Sequence, residues 1–203
     1  MPIYKTDAGL IYFSHVPKCA GTSVTGYLEA RFGAPAFEDR AYFRDAAAYP
    51  WTHTSPQHVT IEARDRLFPP SFFDFEFAVV RNPIKRLASV YGFQKRNQKT
   101  IGRFTSFSGW LKRLPKVIED APYTFDGHAL PQTKFVSDEA TVFRLEDGLE
   151  AVERFLDDSF GAYAGTLEFG HAKKAKKPVR VSASDEALIR EIYRADFERF
   201  GYD

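Results

Sequence analysis

The chain has 203 residues, 44% of them hydrophobic and 16% aromatic, enough apolar material to bury one sizeable core in a single domain over residues 1–203. Its 28 basic and 27 acidic residues leave a formal net charge of +1, which argues against the uniformly cationic surface of a protein that wraps nucleic acid, so any anion site has to be local. Cys19 is the lone cysteine and cannot form an intrachain disulfide; with no signal-like start and no apolar run near the roughly 20 residues that cross a bilayer, the expectation is a soluble, cytoplasmic protein without a membrane span.

Residues 10–16 form a short apolar run rich in β-formers. Pro17 and Gly21 punctuate it before helical spacing resumes over residues 23–32, so the segment reads as strand, loop, helix. Residues 34–74 hold much Pro, His and aromatic content and read as loops, with a short helix near residues 61–67. A second unit starts with the strand 75–80, turns at Arg81-Asn82-Pro83 and continues as a helix to about residue 97, with Pro83 suited to the first turn. Residues 98–138 are irregular apart from a possible helix over 107–114. A further strand is expected over 141–145 and a helix over 148–156. After a basic segment, 171–180, Ser184 is placed as the N-cap of a final helix ending near residue 200. Two strand-to-helix turns in one chain predict an α/β fold with a parallel sheet flanked by helices.

The first turn reads His15-Val16-Pro17-Lys18-Cys19-Ala20-Gly21-Thr22-Ser23. A strand handing over to a helix through a glycine points unpaired N–H groups and the positive end of the helix dipole at an anion, and Lys18 adds a full charge. A Walker A loop is excluded because no Gly-Lys pair occurs in the chain, and a Rossmann fingerprint because no Gly-x-Gly does. A Cys-x5-Arg phosphatase loop fails because Thr25 stands where the arginine is needed. Cys19 is read as a small packing residue.

The second turn, Arg81-Asn82-Pro83-Ile84-Lys85-Arg86-Leu87-Ala88-Ser89-Val90-Tyr91, puts an arginine at the carboxyl end of a strand and a serine two helical turns later. A magnesium-dependent NTPase usually ends the comparable strand in an aspartate, whereas an arginine offers a bidentate fork to a phosphate directly. A nucleotide bound without metal is the expectation.

Together the two segments resemble the nucleotide-binding segments of sulfotransferases that use PAPS (3'-phosphoadenosine 5'-phosphosulfate), most closely the carbohydrate-type branch, whose first loop reads Pro-Lys-Thr/Ala-x-Gly-Thr-Ser. Cys19 replaces the commoner threonine or serine. The runs 126–132, 143–147 and 193–202 also look like later parts of that branch, whereas residues 98–125 match nothing in it, and acceptor specificity is expected to vary there. The resemblance implies a P-loop-like sulfotransferase fold in which Lys18, Gly21, Thr22 and Ser23 grip the 5'-phosphosulfate and Arg81 and Ser89 the 3'-phosphate. It implies PAPS as co-substrate, 3'-phosphoadenosine 5'-phosphate as product, and a hydroxyl or amine of a carbohydrate or glycoconjugate as acceptor.

Sulfuryl transfer needs in-line attack and stabilisation of charge on the bridging oxygen, a task that falls to Lys18. It also needs a base of near-neutral pKa. His58, in Pro56-Gln57-His58-Val59-Thr60, resembles the segment that supplies the base in the carbohydrate branch. His53 is its main competitor and Glu62 a further one. His128 and Gln132 are expected at the acceptor pocket, His15 as a satisfied core imidazole, and His171 on the surface. No metal is expected, because His53 and His58 are five apart and no zinc-type partner set completes them. The basic segment Lys173, Lys174, Lys176, Lys177 and Arg180 fits either a flap over an anion or a solvated loop. A magnesium-dependent phosphotransferase and a non-catalytic nucleotide-binding module are the competing readings.

Overall fold

The computed structural model of the chain describes residues 1–39, 41–45, 50–69, 71–163 and 178–203. Four strands form one sheet in the order β1 (Ile3–Thr6), β2 (Gly9–Ser14), β3 (Phe75–Val80), β4 (Thr141–Arg144). β2, β3 and β4 pair in parallel, with Phe13 opposite Phe77 and Val80 opposite Arg144. β1 folds back antiparallel on β2, with Tyr4 opposite Ile11. This edge hairpin was not foreseen. Residues 1–6 are too short a run to show a period, and only pairing with β2 makes them a strand.

Alternation along the strands sorts the core into two faces. Ile11, Phe13, Phe77 and Val79 pack against α1 (Gly21–Phe32) and α6 (Glu150–Phe160), through Val24, Leu28, Val152 and Leu156. Ala78 and Val80 face the other way, onto Leu130, Phe135 and Phe200. Phe77 is fully buried between β2 and α6, and Phe77→Ala would cost about 3–5 kcal/mol. A further cluster joins α3 (Pro83–Phe93), α4 (Phe107–Leu111), α5 (Leu114–Asp120), α7 (Ala183–Ile192) and α8 (Arg194–Phe200) through Leu87, Trp110, Leu114, Ile189 and Phe197.

Local signals explain several helix starts. Asn82 caps α3, its side chain accepting from the N–H groups of Ile84 and Lys85 at 3.0 and 3.3 Å, while Pro83 occupies the first turn. α2 (Ile61–Asp65) starts after Thr60, whose hydroxyl accepts from the Ala63 N–H. The final helix is corrected in two respects. Ser182, not Ser184, is the N-cap, because the Ser182 hydroxyl and the Asp185 carboxylate exchange hydrogen bonds with each other's backbone in a capping box. The helix also breaks at Tyr193, whose buried ring reaches the Ala129 carbonyl; α8 then restarts so that Asp196 can accept the N–H groups of Gln132 and Thr133 at 2.8 and 3.0 Å. His15 lies just beyond the end of β2 rather than within it.

Candidate active site

The carboxyl edge of the parallel strands carries both turns read from the sequence. After β2 the chain enters the left-handed region at Lys18 (φ 67°) and Ala20 (φ 61°), an unusual pair of non-glycine residues there, before α1 begins at Gly21. The N–H groups of Gly21 and Thr22 have no hydrogen-bond acceptor among the described residues, and a bound anion would supply one. Thr22 is exposed and Ser23 half-buried at the same helix start.

Arg86, on α3, holds this loop from beneath. It is fully buried and donates to the carbonyls of Pro17 (3.0 Å), His128 (3.0 Å) and Leu130 (2.9 Å). Its Nη1 is buried without a partner, and the described residues give it no carboxylate, so an uncompensated positive charge lies under the anion loop. The sequence reading passed Arg86 over because spacing alone does not separate it from a surface helix residue. Cys19 is buried as expected: its thiol sits 3.2 Å from Gln132 Oε1, and burial pushes its pKa up to about 12.

The second turn meets the first. Arg81 Nη1 donates to the Lys18 carbonyl at 3.4 Å, and Lys18 Nζ rests 3.9 Å from the centroid of the Phe93 ring. Burial, and secondarily Arg81, lower the Lys18 pKa. Ser89 is half-buried two turns into α3, and its hydroxyl makes no hydrogen bond to the described residues. Gln132, expected at the acceptor pocket, is fully buried; its Oε1 accepts the Arg81 N–H at 2.9 Å and its Nε2 donates to the Arg81 carbonyl at 2.9 Å. Its amide oxygen and one amide N–H thus brace the second turn.

Beside the loops stands a cluster that spacing did not reveal. His58 Nδ1 lies 2.7 Å from Asp126 Oδ2, and the Ser55 N–H and hydroxyl donate to the same carboxylate at 2.6 and 2.7 Å. Burial alone would raise the Asp126 pKa; the hydrogen bonds and charge of His58 and the two bonds from Ser55 outweigh it and hold the carboxyl below its ordinary value. An ionised Asp126 only accepts, so His58 donates from Nδ1, and in the neutral imidazole the free lone pair is the one on Nε2. Three successive left-handed residues, Phe125, Asp126 and Gly127, deliver this carboxylate, the kind of backbone strain that collects at functional sites. Thr54 fixes the His58 turn by donating to the His58 carbonyl at 2.8 Å.

His128 is buried with Nε2 4.0 Å from Asp126 Oδ2. Thr100 donates to Gln94 Oε1 at 2.7 Å, which turns Gln94 Nε2 toward His128 Nδ1 at 3.1 Å. The imidazole proton therefore sits on Nε2, facing Asp126. The His15, His58 and His128 rings make a row with centroids 5.0 Å apart at each step. Burial first, and the neighbouring imidazole of His58 second, hold both His15 and His128 well below the ordinary histidine pKa. His15 is not the satisfied core residue expected: its Nδ1 is buried and without a hydrogen-bond partner.

The ligand atoms of His58, Asp126 and His128 lie within 4.8 Å of one another, a grouping invisible in the sequence spacing. As they stand, the 2.7 Å contact is a proton-sharing one, shorter than the roughly 3.3 Å between neighbouring ligands around tetrahedral zinc.

His53 and Glu62 lie elsewhere. His53 is exposed and stacks on Tyr123 at 4.8 Å, and Glu62 is exposed and paired with Arg66. Both line a surface groove of about 430 Å³ with Trp51 and Thr60, and His58 is not among its lining residues. His171, Lys173, Lys174, Lys176 and Lys177 fall outside the described residues; Arg180 is exposed.

The carboxyl edge of the α/β sheet thus brings together a helix start with two unpaired N–H groups, Lys18, Arg81 and an Asp–His pair. The chain belongs to the sulfotransferase family, whose model matches residues 3–203. No curated protein and no solved structure matches the chain. Its chemistry is accordingly that of a transferase of sulfuryl groups, and the four-stranded, mostly parallel sheet with flanking helices agrees with that fold. No helix among the described residues is long and apolar enough to cross a membrane.

Proposed function

We propose that the chain transfers the sulfuryl group of PAPS to a hydroxyl or amine of a carbohydrate-like acceptor by in-line displacement, with His58 as the base. The observation that carries this reading is the 2.7 Å contact between His58 Nδ1 and Asp126, beside the loop where Lys18 and Arg81 meet. PAPS, when bound, supplies an activated sulfuryl group on a phosphate leaving group. The cradle suits it: Gly21 and Thr22 present unpaired N–H groups, and Thr22 and Ser23 place hydroxyls at the start of α1 for the 5' end, while Arg81 and Ser89 face the 3'-phosphate. His58 Nε2 takes the acceptor proton as the acceptor atom bonds to sulfur, and Lys18 neutralises the electron pair left on the bridging oxygen when the old S–O bond breaks. Asp126 fixes the His58 tautomer and stabilises its protonated form. His128 completes the wall around that carboxylate, and no metal is invoked for the step.

The test is a titration of 3'-phosphoadenosine 5'-phosphate against ATP with magnesium, followed by labelled PAPS offered with a panel of sugars and amino sugars. Preference for the doubly phosphorylated adenosine together with label in a sugar is the expected result. Preference for ATP would end the proposal.

A further inference from the structure

The reading above leaves His15 without a role, and its surroundings are unusual. A Cβ built on Gly21 would lie 1.7 Å from His15 Nε2 and 2.0 Å from Cδ2, so the imidazole occupies the space that any larger residue at the head of α1 would claim. That glycine is needed less for its torsions than for the ring above it. Nε2 thus lies against Gly21, the first residue of a 12-residue helix whose N-terminal end carries the positive pole of its dipole and the unpaired N–H groups of Gly21 and Thr22.

Neither ring nitrogen makes a hydrogen bond to the described residues, and Nδ1 is sealed from solvent. A neutral imidazole must still carry one proton. On Nδ1 it would be an orphaned buried donor, the rarer and costlier fault, whereas on Nε2 it leaves only a buried lone pair. Nε2–H is therefore a donor at the head of α1 that no described residue accepts. Burial keeps the ring neutral, so it brings a dipole and no third cation beside Lys18 and Arg81. On its other side the ring stands 5.0 Å from His58 and nearly perpendicular to it, which sets His15 between the anion loop and the base.

From this placement, and resting on the proposed function, we infer that His15 is a direct ligand of the donor: its Nε2–H hydrogen-bonds a tetrahedral oxyanion, sulfuryl or 5'-phosphate, seated over Gly21. Such a bond would hold the group in line for an acceptor activated by His58, making His15 a substrate-binding residue of the transfer site rather than core packing.

Calorimetry without acceptor tests this, using 3'-phosphoadenosine 5'-phosphate and PAPS as separate probes on the wild type, His15→Ala, His15→Gln and the double variant His15→Ala/Gly21→Ala. His15→Ala is expected to weaken binding about tenfold. Weakening for both probes assigns the contact to the 5'-phosphate, and weakening for PAPS alone assigns it to the sulfuryl oxygens. His15→Gln, which keeps a neutral N–H near the same point, should retain most of the affinity. If His15→Ala binds both probes as the wild type does, or if adding Gly21→Ala restores its affinity, the ring only fills space and the inference is wrong. Thermal melting of each variant reports folding separately, and a well-folded His15→Gln carries the test should His15→Ala unfold. A wild type that binds neither nucleotide would remove the donor reading itself, a different failure from a bound nucleotide indifferent to His15.

Discussion

The anion loops and the base cluster lie side by side but are built in opposite ways. The loops are local: residues 15–23 and 81–89 each run from a strand end into the helix that follows, and each carries its own charges and its glycine or proline, the second with a side-chain cap at Asn82 as well. The base cluster is non-local: His58 comes from a 3₁₀ turn (Pro56–His58), Asp126 from a strained turn 68 residues later, and the tautomer of His128 depends on Gln94 and Thr100. A motif written in consecutive residues survives in one line of sequence, whereas a cluster assembled from four segments appears only once the chain has folded.

The sharpest way to break this comparison is to exchange the fates of the two neighbouring histidines. His58→Ala should cut transfer by about 10²–10⁴-fold with nucleotide affinity kept, whereas His53→Ala should leave the rate near wild type, as seen in steady-state assays with labelled PAPS. The reverse pattern would move the base to the Tyr123 groove. Asp126→Asn comes next, because an amide can donate to Nδ1 and favour the wrong tautomer; a loss of about 10²-fold in kcat, with a shifted pH profile, is expected. Within the loops, Lys18→Ala should lower turnover chiefly, while Arg81→Ala should weaken 3'-phosphoadenosine 5'-phosphate by about 1–3 kcal/mol in calorimetry. Equal behaviour of the two variants would merge roles that this reading keeps apart.

The smallest effect concerns stability and pH. His15 and His128 both have folded pKa values below the ordinary one, so the unfolded chain binds protons more readily than the folded protein. Their contribution is fully present above pH about 6.5 and is eroded as the pH falls below that value toward the folded-state pKa values. Denaturant midpoints taken between pH 8 and 5 should decline across the lower half of that range, and the decline should flatten in His128→Asn. Asp126 acts in the same direction at lower pH, since its depressed pKa favours the folded state only above the ordinary carboxyl range near 3.9 and is lost on further acidification.

Three positions show where reading along the chain stopped short. Gln132 and His128 stand in the same motif, yet Gln132 turns inward to clamp the Arg81 backbone while His128 faces Asp126. Ser182 has an acidic residue three positions on, Asp185, where Ser184 has Ala187, so the capping box that sets the start of α7 was legible in the sequence and was passed over. Glu62 has the chemistry of a base and lies four residues from His58, but α2 turns it out to Arg66. At Gln132 residue type was legible and direction was not, because direction follows from which long-range partner the backbone meets.

By itself the sequence determined the order of strands and helices that carry the loops, the anion-seeking character of residues 15–23, the arginine at the end of β3 and the resemblance that points to sulfuryl transfer. Those features depend on neighbours a few residues apart, where torsional preference, capping and the helix dipole act. Tertiary structure alone decided which histidine is paired with a carboxylate, that Arg86 lies buried under the loop, that Lys18 and Arg81 converge, and that His15 stands over Gly21. Burial and close approach between distant segments set those outcomes, and a one-dimensional pattern carries no record of distance.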